Sequence, residues 1–461
     1  MSARRALRRL AIPVLALLHA CTPAADTFQP SRATPMQTTL PPMKRFASYT
    51  APPLTAANAD LERDFLDLSF MLESGRALPV FTRFEGPISL RLAGHPPPTL
   101  GPDLGALLHR LKTEAGIDIA RTTSAAASIT LEAVSSDQIR SALPQAACFV
   151  APNVSSFAEY RTHRRAARTN WTLLDRRTRL SVFVPADAPP QEVRDCLHEE
   201  LAQALGPLND LYRLPDSVFN DDNMHSVLTA RDMMILRATY APELRSGMTR
   251  DEVAARLPEI FDRLNPAGKG RPGAQASDTP DEWRQAVETA LGPGASYAQR
   301  SRASAQAVRI AVRLGWQDQR RAFAHYARAR VLQPSDPGDA YREFLLADSY
   351  YARLPQTRLH RAYVASQLAA YAVAQGDGAE ALRRIEPGLT VAAESGNAAL
   401  LATLMLLKAE ALELEGRDEE ARSVRLDSLG WARYGFGPDW AVRARQSEIA
   451  GLNPMKGLNP S

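Results

Sequence analysis

The sequence predicts two folded regions of different class: an α+β domain over residues 59–262 and an all-α domain over 283–461, joined by a linker at 263–282. Three observations carry this reading. Short apolar runs that alternate or stay continuous, interspersed with helical spacing, extend only to about residue 262. Turn-forming residues then cluster from Asn265-Pro266-Ala267-Gly268-Lys269-Gly270 onward. Beyond Glu282 the chain holds only Ala-, Leu- and Arg-rich helical stretches, punctuated by Gly-polar turns.

In the first region, Leu61 to Leu72 has helical spacing and Ile88-Ser89-Leu90-Arg91-Leu92 alternates as a strand. Leu104 to Ala115 is an amphipathic helix with Gly116 as its stop. Further strands are expected at Ser128 to Val134, at Ala147-Cys148-Phe149-Val150 and at Leu180 to Pro185. The last runs into a helix that opens on Pro189-Pro190-Gln191-Glu192 and stops at Gly206-Pro207. Strands followed by one central helix suit an α+β layer arrangement.

In the second region, Ala369 to Ala381 matches Ala409 to Ala421 at an offset of 40. Each copy has a small-residue helix, a Gly turn and a second helix opening on Glu-Ala, and a weaker copy runs from Leu314 to Ala322. This resembles the helix–turn–helix of tetratricopeptide repeats, although the offset exceeds their usual length of about 34. An ordinary helical bundle is the other reading. A stacked array has a concave face, so a protein or peptide partner is expected through 283–461.

Composition limits the functional classes. Of 55 basic residues, Arg4, Arg5, Arg8 and Arg9 fall in the first twenty positions, which hold no acid. The rest of the chain therefore balances 51 basic against 51 acidic residues, and nothing in its net charge points to nucleic acid. Those arginines precede the apolar run Leu10 to Leu18 and then His19-Ala20-Cys21, as in a secretory signal over 1–20. Leu18-His19-Ala20-Cys21 resembles the lipobox of bacterial lipoproteins, which implies acylation of Cys21 and a lipid anchor to the inner or outer membrane, facing the periplasm. Ordinary cleavage after Ala25 would instead release a soluble periplasmic protein. Residues 21–58, rich in Pro and Thr, read as a disordered tether. Cys148 and Cys196 remain, either paired as a disulfide in that oxidising compartment or as two buried thiols.

The helix after the last strand carries Glu199-Glu200-Leu201-Ala202-Gln203-Ala204-Leu205-Gly206. This resembles the zinc-binding His-Glu-x-x-His-x-x-Gly motif of zincin metallopeptidases, with Glu199 and Gln203 in place of the two His and Glu200 at the general-base position. Farther on, Asn209 occupies the third-ligand position with Asp210 beside it. Phe219 stands where the Met of a Ser-x-Met turn would be, and Leu228-Thr229-Ala230-Arg231-Asp232 is similar to the helix that follows. The resemblance implies a zincin-like fold for the α+β domain. Glu200 falls within the apolar stripe of Val193, Leu197, Leu201 and Ala204, whereas His198 projects away from Glu199. A carboxylate in such a stripe is either functional or sealed into a structural hydrogen-bond network.

Cys196…Glu199-Glu200…Gln203-x-Leu205-Gly206…Asn209-Asp210…Ser217-x-Phe219-Asn220-Asp221 also resembles a family of uncharacterised, lipoprotein-like proteins of Gram-negative bacteria, over roughly residues 60–250. Glu199, Gln203 and Asn209 or Asp210 are the candidate metal ligands. They are a poor zinc set and suit harder cations better. The expectation is therefore no cofactor, and a binding or scaffolding protein. An active metal-dependent peptidase with Glu200 as base and a divalent metal is the alternative. The run Arg161, His163, Arg164, Arg165, Arg168, Arg176, Arg177 and Arg179 reads as a solvated loop, with anionic lipid or an acidic partner as its other use. Asn220-Asp221-Asp222-Asn223 reads as a polar turn.

Overall fold

Five strands build one sheet in the order β2-β1-β3-β5-β4: β1 (Ile88–Gly94), β2 (Ile119–Arg121), β3 (Ile129–Val134), β4 (Phe149–Pro152) and β5 (Leu180–Pro185). β1, β2, β3 and β5 run parallel, and β4 lies antiparallel to β5 at the edge. The computed structural model describes residues 40–46, 49, 52–274 and 277–457. The expected signal segment and Cys21 lie outside the described residues.

All six residues of β5 are buried, because both faces of the strand are covered. Leu180, Val182 and Val184 enter the main core, whereas Phe183 points into an aromatic cluster with Phe149, Phe157 and Tyr160. That two-residue alternation is what a strand between two layers requires. The four expected strands are present within a few residues. β2 was not expected, since three residues are too few to show a period.

Helices of the first region are α1 (Asn58–Ser69), α2 (Leu100–Arg110), α3 (Ser136–Ala142), α4 (Phe157–His163), α5 (Pro190–Leu205), α6 (Ala230–Thr239), α7 (Arg250–Ala254) and α8 (Leu257–Leu264). α2 continues as a π-turn over Leu111–Ala115 and stops at Gly116, whose φ of 72° favours glycine. α5 follows β5 and packs against β5 and β4. Its first-turn Pro190 needs no donor there. Its last carbonyls, Gln203 O and Gly206 O, accept from the buried guanidinium of Arg177, which also lies over the Trp171 ring. Arg177 therefore departs from the solvated basic loop expected at 161–179. A cation at a helix C-terminus opposes the exposed carbonyl dipoles.

The all-helical region comprises α9 (Asp281–Leu291), α10 (Tyr297–Arg313), α11 (Gln319–Leu332), α12 (Pro337–Tyr351), α13 (Arg358–Ala374), α14 (Gly378–Glu394), α15 (Ala398–Leu414), α16 (Asp418–Phe436), α17 (Asp439–Ala450) and α18 (Pro454–Gly457). From α9 to α17 each helix packs on the next. α13, α14 and α15 are 17 residues each. A three-residue turn follows each, at Gly376, Gly396 and Gly416, whose φ values are 76°, 64° and 69°. Two such helices with their turns account for the 40-residue offset. Among the described residues, no helix is long and apolar enough to cross a membrane.

The described residues, from Leu40 onward, cluster as one unit. Within the stretch expected as a linker, 263–282, two described residues are held to the regions on either side: Trp316 Nε1 donates to Ser277 Oγ at 3.1 Å and Ala274 N to Asp60 Oδ1 at 2.9 Å. The expected tether, 21–58, is likewise shortened at its end. Lys44 N donates to Gly430 O, and Phe46 stacks on Trp431 with centroids 4.6 Å apart. Composition alone hides these anchors: a few apolar side chains among many Pro and Thr are enough to dock a short segment on α16.

Candidate functional site

α5 is buried nearly all round, so its side chains serve different surroundings on different faces. His198 is 4% exposed, and its Nδ1 accepts from Leu228 N–H at 3.2 Å, away from the cleft described next. Glu199, Glu200 and Gln203 line a cleft of ≈ 520 Å³ between α5, the chain entering β4, and two loops. Cys196, one turn earlier on α5, is joined to Cys148 by a disulfide with Cα atoms 5.9 Å apart. That bond ties the strand-side wall of the cleft to the helix that floors it.

The first loop follows α1 and brings Glu73, whose Oε1 accepts from Gln203 Nε2 at 3.1 Å. The second follows α5 and brings Asp210 and Asp221. Leu72, Leu208, Val150 and Trp171 pack together as the apolar part of the wall. Five carboxylates thus share the cleft, Glu73, Glu199, Glu200, Asp210 and Asp221, and its lining contains no Lys, Arg or His. Glu73 and Asp221 are exposed at the rim, and Glu199 is half-buried. Glu200 and Asp210 are 5% and 8% exposed, and Glu200 Oε2 and Asp210 Oδ1 are buried with no hydrogen-bond partner.

The electrostatic consequence is a set of raised proton affinities. Burial, then the charges of Glu73, Asp221 and Asp195, push Glu199 up to about 8. Burial followed by Glu199 and Glu73 raises Glu200 well above the usual carboxylate range, and the same causes with Asp221 raise Asp210. Like charges in a poorly hydrated site hold on to protons until a cation arrives. Such a cleft can accept hydrogen bonds from a cationic group, or pass a proton.

The loop after α5 is held from outside the cleft. Asp232 of α6 is fully buried and accepts from Ser217 Oγ, from Val218 N at 3.1 Å and from Thr229 N at 2.7 Å. It thereby caps its own helix and fixes the turn that carries the fully buried Phe219. Asp232→Ala strands three donors and is expected to cost about 3 kcal/mol or more. Urea denaturation monitored by circular dichroism checks this, and a loss below about 1 kcal/mol contradicts it.

Of the predicted site residues, Glu199, Glu200, Gln203 and Asp210 meet in the cleft, and Asn209 does not. Its amide Nδ2 donates to Asp67 O at 3.0 Å, and it does not line the cavity. Adjacent residues of an extended loop face opposite ways, and here the acid, not the amide, turns inward. Among the described residues, no group of three or more His, Cys, Asp or Glu is arranged to hold a metal ion. The cleft offers oxygen donors only, and that set does not fit zinc. Sequence reasoning missed Glu73 as a site residue and read Asp221 as part of a polar turn.

Residues 58–259 match the family described as Protein of unknown function (DUF2927). A DUF2927 domain spans this stretch. It covers the sheet, α5, both cleft loops and α6, so all five carboxylates belong to the DUF2927 domain. The all-helical region lies outside it. No curated protein and no solved structure gives a significant match.

Proposed function

We propose that this chain is a cell-envelope binding protein whose zincin-like cleft, carboxylate-lined where a peptidase would present imidazoles, grips an extended peptide through a basic side chain. Several features support the zincin-like reading. A helix bearing Glu199, Glu200 and Gln203 packs on the sheet, an acid follows at Asp210, and Ser217-Val218-Phe219 is pinned by Asp232 of the next helix. The antiparallel edge strand β4 borders the cleft through Phe149 and Val150, where an extended segment can add as a further strand.

One observation carries the choice of ligand. Glu200 Oε2 and Asp210 Oδ1 are buried acceptors without donors, in a cleft whose lining holds five acids and no base. A Lys or Arg side chain supplies both the donors and the charge, through short charge-assisted bonds. The Gly-punctuated helices, similar to tetratricopeptide repeats, give a second surface for a protein partner. Placement in the envelope, tethered through Cys21, rests on the N-terminal sequence.

Fluorescence anisotropy with a labelled pentapeptide carrying a central Lys or Arg tests the reading. Saturable binding is expected, weakened about tenfold or more by Glu200→Gln with Asp210→Asn. Equal binding of a peptide with central Gln, or none of the basic peptide, overturns it.

The unpartnered oxygen of Glu200 favours one second reading, a metal-dependent hydrolase with Glu200 as general base. Stoichiometric Mg, Ca or Mn in the purified protein, together with peptide cleavage abolished by Glu200→Gln, would replace the binding reading with that one.

A further inference from the structure

α5 separates the cleft from a second cavity. On the side of His198, where α2, α5 and α16 meet, a pocket of ≈ 400 Å³ is lined by Ala106, Arg110, Arg194, His198, Phe46 and Tyr434, among others. We infer that this pocket binds a small organic anion, a carboxylate or phosphate monoester carrying an apolar body.

Hydrogen-bond donors outnumber free acceptors around this pocket, because each acid near it already has a partner. Glu114 accepts from Arg110 Nε and Nη2 at 2.6 and 2.7 Å. Asp103 accepts from Tyr434 Oη at 2.8 Å and faces Arg45 at 3.7 Å. Asp195 lies 3.5 Å from Arg194 Nη2, which is also taken up by Gly396 O at 2.7 Å and Ser226 Oγ at 3.2 Å. Among the described residues, the buried side-chain atoms of this lining that lack a partner are all donors. Arg110 and Arg194 are each 7% exposed, and Arg110 Nη1 and Arg194 Nε are buried without hydrogen-bond partners.

His198 adds to the same excess. Burial, then Arg194 and Arg110, hold it far below its ordinary value, so the ring is neutral. Because Nδ1 accepts from Leu228 N–H, the proton sits on Nε2, a third donor. Aromatic faces complete the two guanidinium environments, with Arg110 over Tyr49 at 4.4 Å and Arg194 over Tyr434 at 5.3 Å. Two buried guanidiniums with spare N–H groups select an oxyanion, which Arg binds better than Lys does. The remaining wall includes Leu107, Val227 and Phe46, which suits an apolar body and excludes a bare inorganic ion as the best ligand. Pockets of this mixed kind favour junctions between structural regions, and this one lies where the DUF2927 domain meets α16.

Isothermal titration of the full chain with phenyl phosphate, benzoate and benzyl alcohol tests the inference. Saturable binding of one or both anions is expected, and which of them binds tells phosphate from carboxylate. Benzyl alcohol should not bind. Arg194→Gln should weaken the anion about tenfold or more. Since Arg194 also holds Gly396 O, a second variant guards against misfolding. Ala106→Trp, at an exposed position of α2, fills the pocket mouth without removing a hydrogen bond and should abolish binding while the melting temperature stays unchanged. Equal binding of benzyl alcohol, anion binding indifferent to Ala106→Trp, or no binding of either anion to folded wild-type protein overturns the inference. Glu200→Gln should leave anion binding intact, so failure here and failure of the cleft reading are distinguishable.

Discussion

Raising the pH from about 5 to about 8 is expected to lower the melting temperature of the ligand-free protein, and Glu199→Gln with Glu200→Gln to reduce that fall. The sign follows from where the protons sit. In the unfolded chain Glu199 ionises near its ordinary value of 4.5, whereas in the fold it keeps its proton to about 8. Glu200 and Asp210 are displaced in the same direction. Their contribution to stability is therefore complete below about 4.5 and is lost as pH climbs through the raised values. A tenfold gain in proton affinity on folding is worth about 1.4 kcal/mol, and screening at the half-open cleft keeps the total to a few kcal/mol. His198 works in the opposite sense: it is neutral in the fold and charged below 6.5 when unfolded, so it adds stability as pH rises to that value. Comparing variant with wild type cancels the histidine and isolates the acids. Parallel pH profiles for the two proteins would contradict the account, and a bound cationic peptide should flatten the wild-type profile.

Reducing the Cys148–Cys196 bond is expected to produce the second large effect. It closes a loop of 48 residues, which in the chain-entropy description is worth about 4 kcal/mol. The bond also sits at the cleft, between the entry to β4 and the turn of α5 just before Glu199. Its loss should therefore lower the urea midpoint and also weaken the basic peptide under conditions where the chain stays folded. Urea melts with and without reductant, and peptide titration of Cys148→Ser with Cys196→Ser, measure the two effects separately. A double variant with wild-type midpoint and wild-type binding would refute both.

Much of the fold was legible because its signals are local. Ile88 to Leu92 and Leu180 to Pro185 announce strands by spacing, and Pro190 and Gly206 bracket α5 by their backbone chemistry. The 40-residue offset marked the helical pairs because turns that need a positive φ repeat their glycines. The site was legible only where it was helical. Glu199, Glu200 and Gln203 follow from helical spacing, but Glu73 joins Gln203 across 130 residues, and no local pattern encodes that contact. The choice between Asn209 and Asp210 turned on loop orientation, which neither composition nor period records. Asp221 did carry a signal, through its place in the Ser217-x-Phe219-Asn220-Asp221 run. The basic stretch misled in the other direction: Arg177 looked like its neighbours and proved to be the buried cap of α5.

Asp221 and its neighbour Asp222 share a loop but serve different masters. The first borders the cleft, and the second accepts from His360 Nε2 of α13 at 2.7 Å. Nearby, Tyr212 packs edge-on against Trp283 and Gln319 donates to Tyr212 O, while Gln191 of α5 bonds Asn397 and Ala399. The limit of homology at residue 259 is therefore not a limit of cooperativity. A fragment trimmed to the family boundary would bare an aromatic seam and strand buried polar groups on the very loop that completes the acidic wall. Any dissection of this molecule has to keep its helical half attached.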